Sequence, residues 1–232
     1  MVVVSAIILC LKNLTPKKPT AKPIRVTVNK VLTICPSIRP VRLVEMLNSF
    51  HSASVCSDLI VDDTPGTTTS IINRIFNENP NYEWYHIAND DFIYHTYGWD
   101  EILQSDGVAY ANDGFLKEGL CTISLINGNW ARAVGWLQLP SVDFLYGDNV
   151  WMTIAKNLGK AYYRNEVNIQ HKHMIKEIFD THENIVKDLS VEDAVYHKTN
   201  SKEQYAKDST AFGIWCAYQA HKDIMKCATV SK

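Results

Sequence analysis

This 232-residue chain has no CxxC pair among its six cysteines, no apolar run long enough to cross a bilayer, no glycine-rich loop after its first strand-like segment, and little charge imbalance. Each absence removes a class of protein. The cysteines, at 10, 35, 56, 121, 216 and 227, are scattered through a chain long enough to need no disulfide staples, which argues for a reducing cytoplasm. A net charge of −2 supplies no global basic field for nucleic acid or anionic lipid, although a local basic groove is compatible with it. The apolar stretch Val2 to Leu11 is about half the length of a bilayer-spanning helix. Its positive charges, Lys12, Lys17, Lys18 and Lys22, follow rather than precede it, unlike those of a secretory signal. It reads as a strand or peripheral segment, followed by a linker marked by Pro16, Pro19 and Pro23.

What the chain does contain is a regular alternation. Val31 to Cys35 is a short apolar, β-rich run stopped by Pro36; Leu43, Val44, Leu47 and Phe50 recur at helical spacing; Asp58 to Val61 repeats the strand signature before Asp62-Asp63-Thr64-Pro65-Gly66. Threonines 67 to 69 are good caps for a helix that presents Ile71, Ile72, Ile75 and Phe76 and ends before Pro80, and a strand over 83–88 follows. This pattern predicts neighbouring parallel strands with a ligand cleft beyond their carboxyl ends. Arg39, Asp62, Asp63, Asn89, Asp90 and Asp91 all fall at that edge. Gathered carboxylates repel unless a cation or hydrogen-bond donor neutralises them, and a hard divalent ion, Mn2+ or Mg2+, with a nucleotide diphosphate fits such a set.

Val31 to Pro40, Leu59 to Thr64 and Asn89-Asp90-Asp91 together resemble the nucleotide-binding strands and DxD motif of GT-A fold glycosyltransferases, family-two-like enzymes that use nucleotide-activated sugars; the likeness spans residues 31 to 175. The resemblance implies an α/β fold, a Rossmann-like mixed sheet flanked by helices, with a helical carboxy-terminal tail. It implies nucleotide-sugar binding by Pro36, Arg39, Asp62, Asp63, Asn89, Asp90 and Trp99, a metal held mainly by Asp91 because Asn89 replaces the motif's first aspartate, and a late metal ligand in His171 or His173. Asp148, opening the helix over Val150 to Leu158, resembles the catalytic base of an inverting transfer; its bland reading is a helix cap. The stretches 120–123 and 131–136 read as strands of a mixed-sheet acceptor half.

The expected organisation is an amino-terminal extension (1–30), a catalytic domain (31–187, divided into a nucleotide-sugar half, 31–105, and an acceptor half, 106–187) and a helical extension (188–232). The expected donor is a UDP-sugar. The acceptor is open, with a hydroxymethylated base in viral DNA one candidate, for which Lys172, Lys176, Lys187, Lys198, Lys202 and Lys207 would supply the local positive patch. The alternative is a nucleotide- or sugar-binding module of the same fold without turnover.

Overall fold

The computed structural model describes residues 30–37, 39–172 and 201–231. Pro36 ends the first strand, β1 (Val31–Pro36), and Pro40 opens helix α1 (Pro40–Ala53), where its fixed φ is already helical and its missing N–H is no loss. Met46, Phe50 and Ala53 recur on one face of α1 and are buried there. Strand β2 (Ser57–Asp62) and helix α2 (Thr68–Glu78) follow; Thr67 caps α2 by accepting a hydrogen bond from Ser70 N at 3.1 Å. The unit closes with β3 (Trp84–Ile87). Then come β4 (Phe92–Tyr94), α3 (Trp99–Ile102), β5 (Val108–Asn112), β6 (Ser124–Asn127), α4 (Gly128–Val134), α5 (Gly147–Asn157), β7 (Ala161–His171), α6 (Lys202–Tyr218) and α7 (Ala220–Val230).

The seven strands form one mixed sheet in the order β2-β1-β3-β6-β5-β7-β4, parallel across β2-β1-β3 and β5-β7 and antiparallel elsewhere. Pleating sends alternate residues to opposite faces: Leu32 and Ile34 enter one core with Ile72, Trp130 and Trp151, whereas Val31 and Cys35 enter a second with Phe50, Phe92 and Trp99. Both faces are covered at β1, β5 and β6, whose residues are almost all buried, and β1 accordingly reads as a continuous apolar run. Each large side chain so buried contributes about 1.5–3 kcal/mol. Among the described residues, no helix is long and apolar enough to cross a membrane.

The sheet curls. Only residues 88–91 join β3 to β4, yet three strands lie between them in the sheet order. Four inter-strand steps would span about 19 Å in a flat sheet, whereas a link of that length reaches at most about 18 Å when fully extended. It is not extended, since Phe92 N donates to Asn89 O at 3.2 Å. Curling brings the sheet's far edge back over β3, and the buried His86 of β3 bonds the Tyr94 hydroxyl of β4 at 2.9 Å.

Two strand expectations are corrected. Residues 131–136 lie mostly in helix α4, because Asn127 caps its start by accepting from Asn129 N at 2.9 Å and Gly135, at φ 89°, supplies its left-handed stop. The strand expected over 120–123 begins at Ser124 instead, after Thr122 donates its hydroxyl to Asp113.

Candidate active site

Because β2, β1 and β3 run parallel as neighbours, their carboxyl-terminal loops form one wall of a cleft. Its volume is about 710 Å3, within the range of small-molecule sites. Pro36, Arg39, Asp62, Asn89, Asp90, Asp91, Asp148 and His171 all line it. Asp63 is exposed outside it, and Trp99 is wholly buried, packed on His86 and Tyr94 with its Nε1 donating to Ser54 Oγ at 2.9 Å. Both therefore differ from the expected binding role: Trp99 is a core residue with no surface to offer a sugar. His173 lies outside the described residues, as do Lys176, Lys187 and Lys198.

Consecutive acids face different surroundings. Asp90 is 3% exposed and accepts hydrogen bonds from Ser37 Oγ (2.6 Å) and Arg39 Nε (2.9 Å), with Arg39 Nη2 completing a bidentate pair. That pair ties the loop after β1 to the loop after β3, so Asp90 is engaged by protein rather than presented to a ribose. Asp91, one residue on, starts the turn into β4. The antiparallel pairing of β4 with β7 sets Phe92 opposite His171, and Lys172 N donates to Asp91 O at 3.0 Å. Asp91 Oδ1 is buried, accepts no hydrogen bond and lies 3.4 Å from His171 Nε2. Burial pushes the Asp91 carboxyl up, but the His171 contact and the charges of Arg39 and Arg42 outweigh it and hold the group below the usual carboxylate range.

Asp62 accepts from Thr64 N (2.9 Å), from the Thr64 hydroxyl and from Arg74 Nη2 (2.6 Å). On the facing wall, Asp148 is the second residue of α5. The cap position itself is Tyr146, which has φ 68° and offers no side-chain cap bond. A left-handed backbone is unfavourable for such a residue, by roughly 1–2 kcal/mol. Gly147 follows, and a Cβ there would lie 2.6 Å from Gln138 Oε1, so that the Gln138 amide would have to shift. Asp148 Oδ1 accepts from Asn149 N at 2.8 Å. Burial raises the Asp148 carboxyl above its ordinary value, only partly offset by backbone N–H groups and by His171.

One cleft carboxylate was missed in the sequence. Asp113, 2% exposed, accepts from Phe115 N and Lys117 N (both 2.8 Å) and from the Thr122 hydroxyl (2.7 Å), while its carbonyl accepts from His171 N (3.2 Å). Asp113-Gly114 is a turn signal, but nothing local tells that the turn faces the site. Among the described residues no group of three or more His, Cys, Asp or Glu side chains is gathered as a ready metal cage. The Asp91 and His171 pair does fit one edge of a divalent-ion site, since a buried carboxylate oxygen without a hydrogen bond stands beside an imidazole nitrogen.

Fold and cleft thus define an α/β protein whose mixed sheet carries an acid-lined pocket at its strand ends. No protein-family model and no curated protein sequence matches the chain. Sixteen chains of solved structures do. One is the mannosyltransferase PcManGT from Pyrobaculum calidifontis in complex with GDP-Man and Mn2+, 12% identical, with a TM-score of 0.49, the match covering 92% of this chain and 77% of that one.

Proposed function

We propose that this protein is a glycosyltransferase that moves a sugar from a nucleotide-diphosphate sugar to an acceptor hydroxyl with inversion. Support comes from one observation: Asp62, Asp91 and Asp148, from three separate segments, line a single cleft, and the carboxyls of Asp91 and Asp148 are displaced in opposite directions. Carboxylates pushed apart in this way are suited to different tasks.

Asp91, held ionised, and His171 are the residues that would hold Mn2+ or Mg2+; when bound, the ion offsets the charge of the departing diphosphate. The rest is the work of the chain. Arg39 and Ser37, locked on Asp90, fix the loop against which the nucleotide lies. Asp148 takes the proton of the acceptor hydroxyl as that oxygen forms its bond to the anomeric carbon. The bond from that carbon to the diphosphate oxygen breaks on the opposite face, and its electron pair leaves with the diphosphate. A carboxyl raised by burial is the stronger base once ionised.

The test is a panel of nucleotide sugars, UDP-sugars first, with and without Mn2+, read by thermal shift and by release of nucleoside diphosphate. A donor at a hundred times its Kd should stabilise the fold by about 2.7 kcal/mol. Stabilisation without any release, with water or with acceptors, supports the binding-module alternative; neither effect with any donor refutes both. For a DNA acceptor, binding of hydroxymethylated duplex must weaken steeply with salt. Two lysines of the proposed patch are already engaged, Lys172 with Glu45 and Lys207 with Asp143.

A further inference from the structure

The loop that delivers Asp148 is held from outside the cleft, by the carboxy-terminal helices. Asp208 of α6 is wholly buried, and its carboxylate accepts hydrogen bonds from three consecutive backbone N–H groups: Asp143 (2.9 Å), Phe144 (3.0 Å) and Leu145 (3.0 Å). Gln204, one turn earlier on α6, donates to the same carboxylate at 2.9 Å. The Asp143 side chain pairs with Lys207, and its carbonyl accepts from Thr69 N at the start of α2, at 3.1 Å. Phe144, Leu145, Tyr146, Gly147 and Asp148 run on from this point along the cleft wall.

A second contact, made of rings, acts on the same loop. The Tyr146 ring stacks on Phe212 of α6 (centroids 5.2 Å apart, planes 17° apart), and Phe212 stacks in turn on Trp215 (5.9 Å, 24°). Trp215 is buried and donates Nε1 to Asp223 of α7 at 3.0 Å. Tyr146 holds an unfavourable left-handed backbone, which persists only where the surroundings over-determine it. The Asp208 carboxylate on one side and the ring stack on the other supply that determination.

We infer that Asp208 is a positioning residue for the transfer reaction: by gripping the amides of residues 143–145 it fixes the entry into α5 and thereby aims the Asp148 carboxylate, without touching substrate itself. This rests on the glycosyl-transfer reading, in which Asp148 is the base. It makes α6 part of the catalytic apparatus as well as a cover for the core, into which it sends Trp215. Three consecutive N–H groups held by one buried carboxylate restrict the turns open to the loop.

The experiment compares wild type, Asp208→Asn and Asp208→Ala, each first shown to be folded at the assay temperature. It reads kcat and donor Kd separately, together with amide hydrogen exchange over residues 143–147. An asparagine oxygen still accepts, but its NH2 confronts a backbone N–H, so the clamp loosens while the shape is kept. The expected result is a kcat lower by about ten- to a hundredfold, a donor Kd within about twofold of wild type and faster exchange confined to the loop, with alanine worse than asparagine. An unchanged kcat in a folded Asp208→Asn protein overturns the inference, as does an equal loss in kcat and donor affinity. Wild-type protein that releases no nucleoside diphosphate from any donor instead overturns the functional reading, so the two failures are told apart by the wild-type arm.

Discussion

Asp148→Asn separates the two costs that this carboxylate carries. Asparagine is isosteric and keeps an oxygen to accept the 2.8 Å bond from Asn149 N, so the first turn of α5 should survive. The lost ability is proton acceptance. A positioned general base contributes about 10²–10⁴-fold, which corresponds to roughly 3–5 kcal/mol of barrier. Turnover, followed as nucleoside diphosphate release at saturating donor, should therefore fall by that factor while donor affinity is unchanged. The stability effect has the opposite sign. Because burial raises the folded-state pKa of Asp148, the ionised form disfavours the fold; that cost is absent below the unfolded carboxylate pKa and fully present above the raised folded one. The variant should accordingly melt higher than wild type at pH 7, and the gap should close as pH falls through the carboxylate range. The acid limb of the wild-type kcat/KM profile should vanish with it. A variant that keeps within about threefold of wild-type turnover, or that is less stable than wild type at pH 7, refutes the assignment.

Three further outcomes test the fold around the site. Arg39→Ala leaves Asp90, 3% exposed, with a buried charge and its Ser37 bond alone, so urea denaturation should show a loss of about 3–5 kcal/mol. Gly107→Ala would put a Cβ 2.3 Å from the Lys160 carbonyl oxygen and 2.6 Å from its Cβ, contacts between the residues just before β5 and β7 that no side-chain rotation relieves; a loss of at least about 1–3 kcal/mol is expected in the same assay. Asp208 carries a pKa that burial would raise but that the amides of 143–145 and Gln204 lower overall, so its stabilisation is present above the unfolded carboxylate pKa and lost as pH falls through the folded one. Asp208→Asn should flatten the acid side of the wild-type stability curve, read by thermal melts from pH 7 downward; parallel curves would contradict this.

The described fold as far as residue 91 was legible because its signals are local. Pro36, Asp62 and Pro80 stop apolar runs, Thr67 caps a helix, and the three strands that result are neighbours in the sheet. The convergence of Asp62 and Asp91 on one cleft follows from that order alone. Beyond it the chain is governed by distant partners. Strand β4 is three residues long and exists because β7 pairs with it nearly eighty residues later. Helix α4 was disguised by Trp130, Val134 and Trp136, whose bulk suits a strand equally well, and only its Asn127 and Gly135 ends betray it. Asp113 and Asp208 look like solvated acids in the sequence, and their burial is decided by backbone amides that only the assembled fold brings to them.

The short crossing from β3 to β4 makes the acidic loop a clasp between two strands that stand four places apart in the curled sheet. The curvature of the sheet, including the irregular step at Ala111 and Asn112 where β7 slips register, therefore sets where Asp91 stands. An inserted glycine or two between Ala88 and Phe92 would lengthen that turn while β4 kept its pairing with β7, and would loosen the placement of Asp91 beside His171.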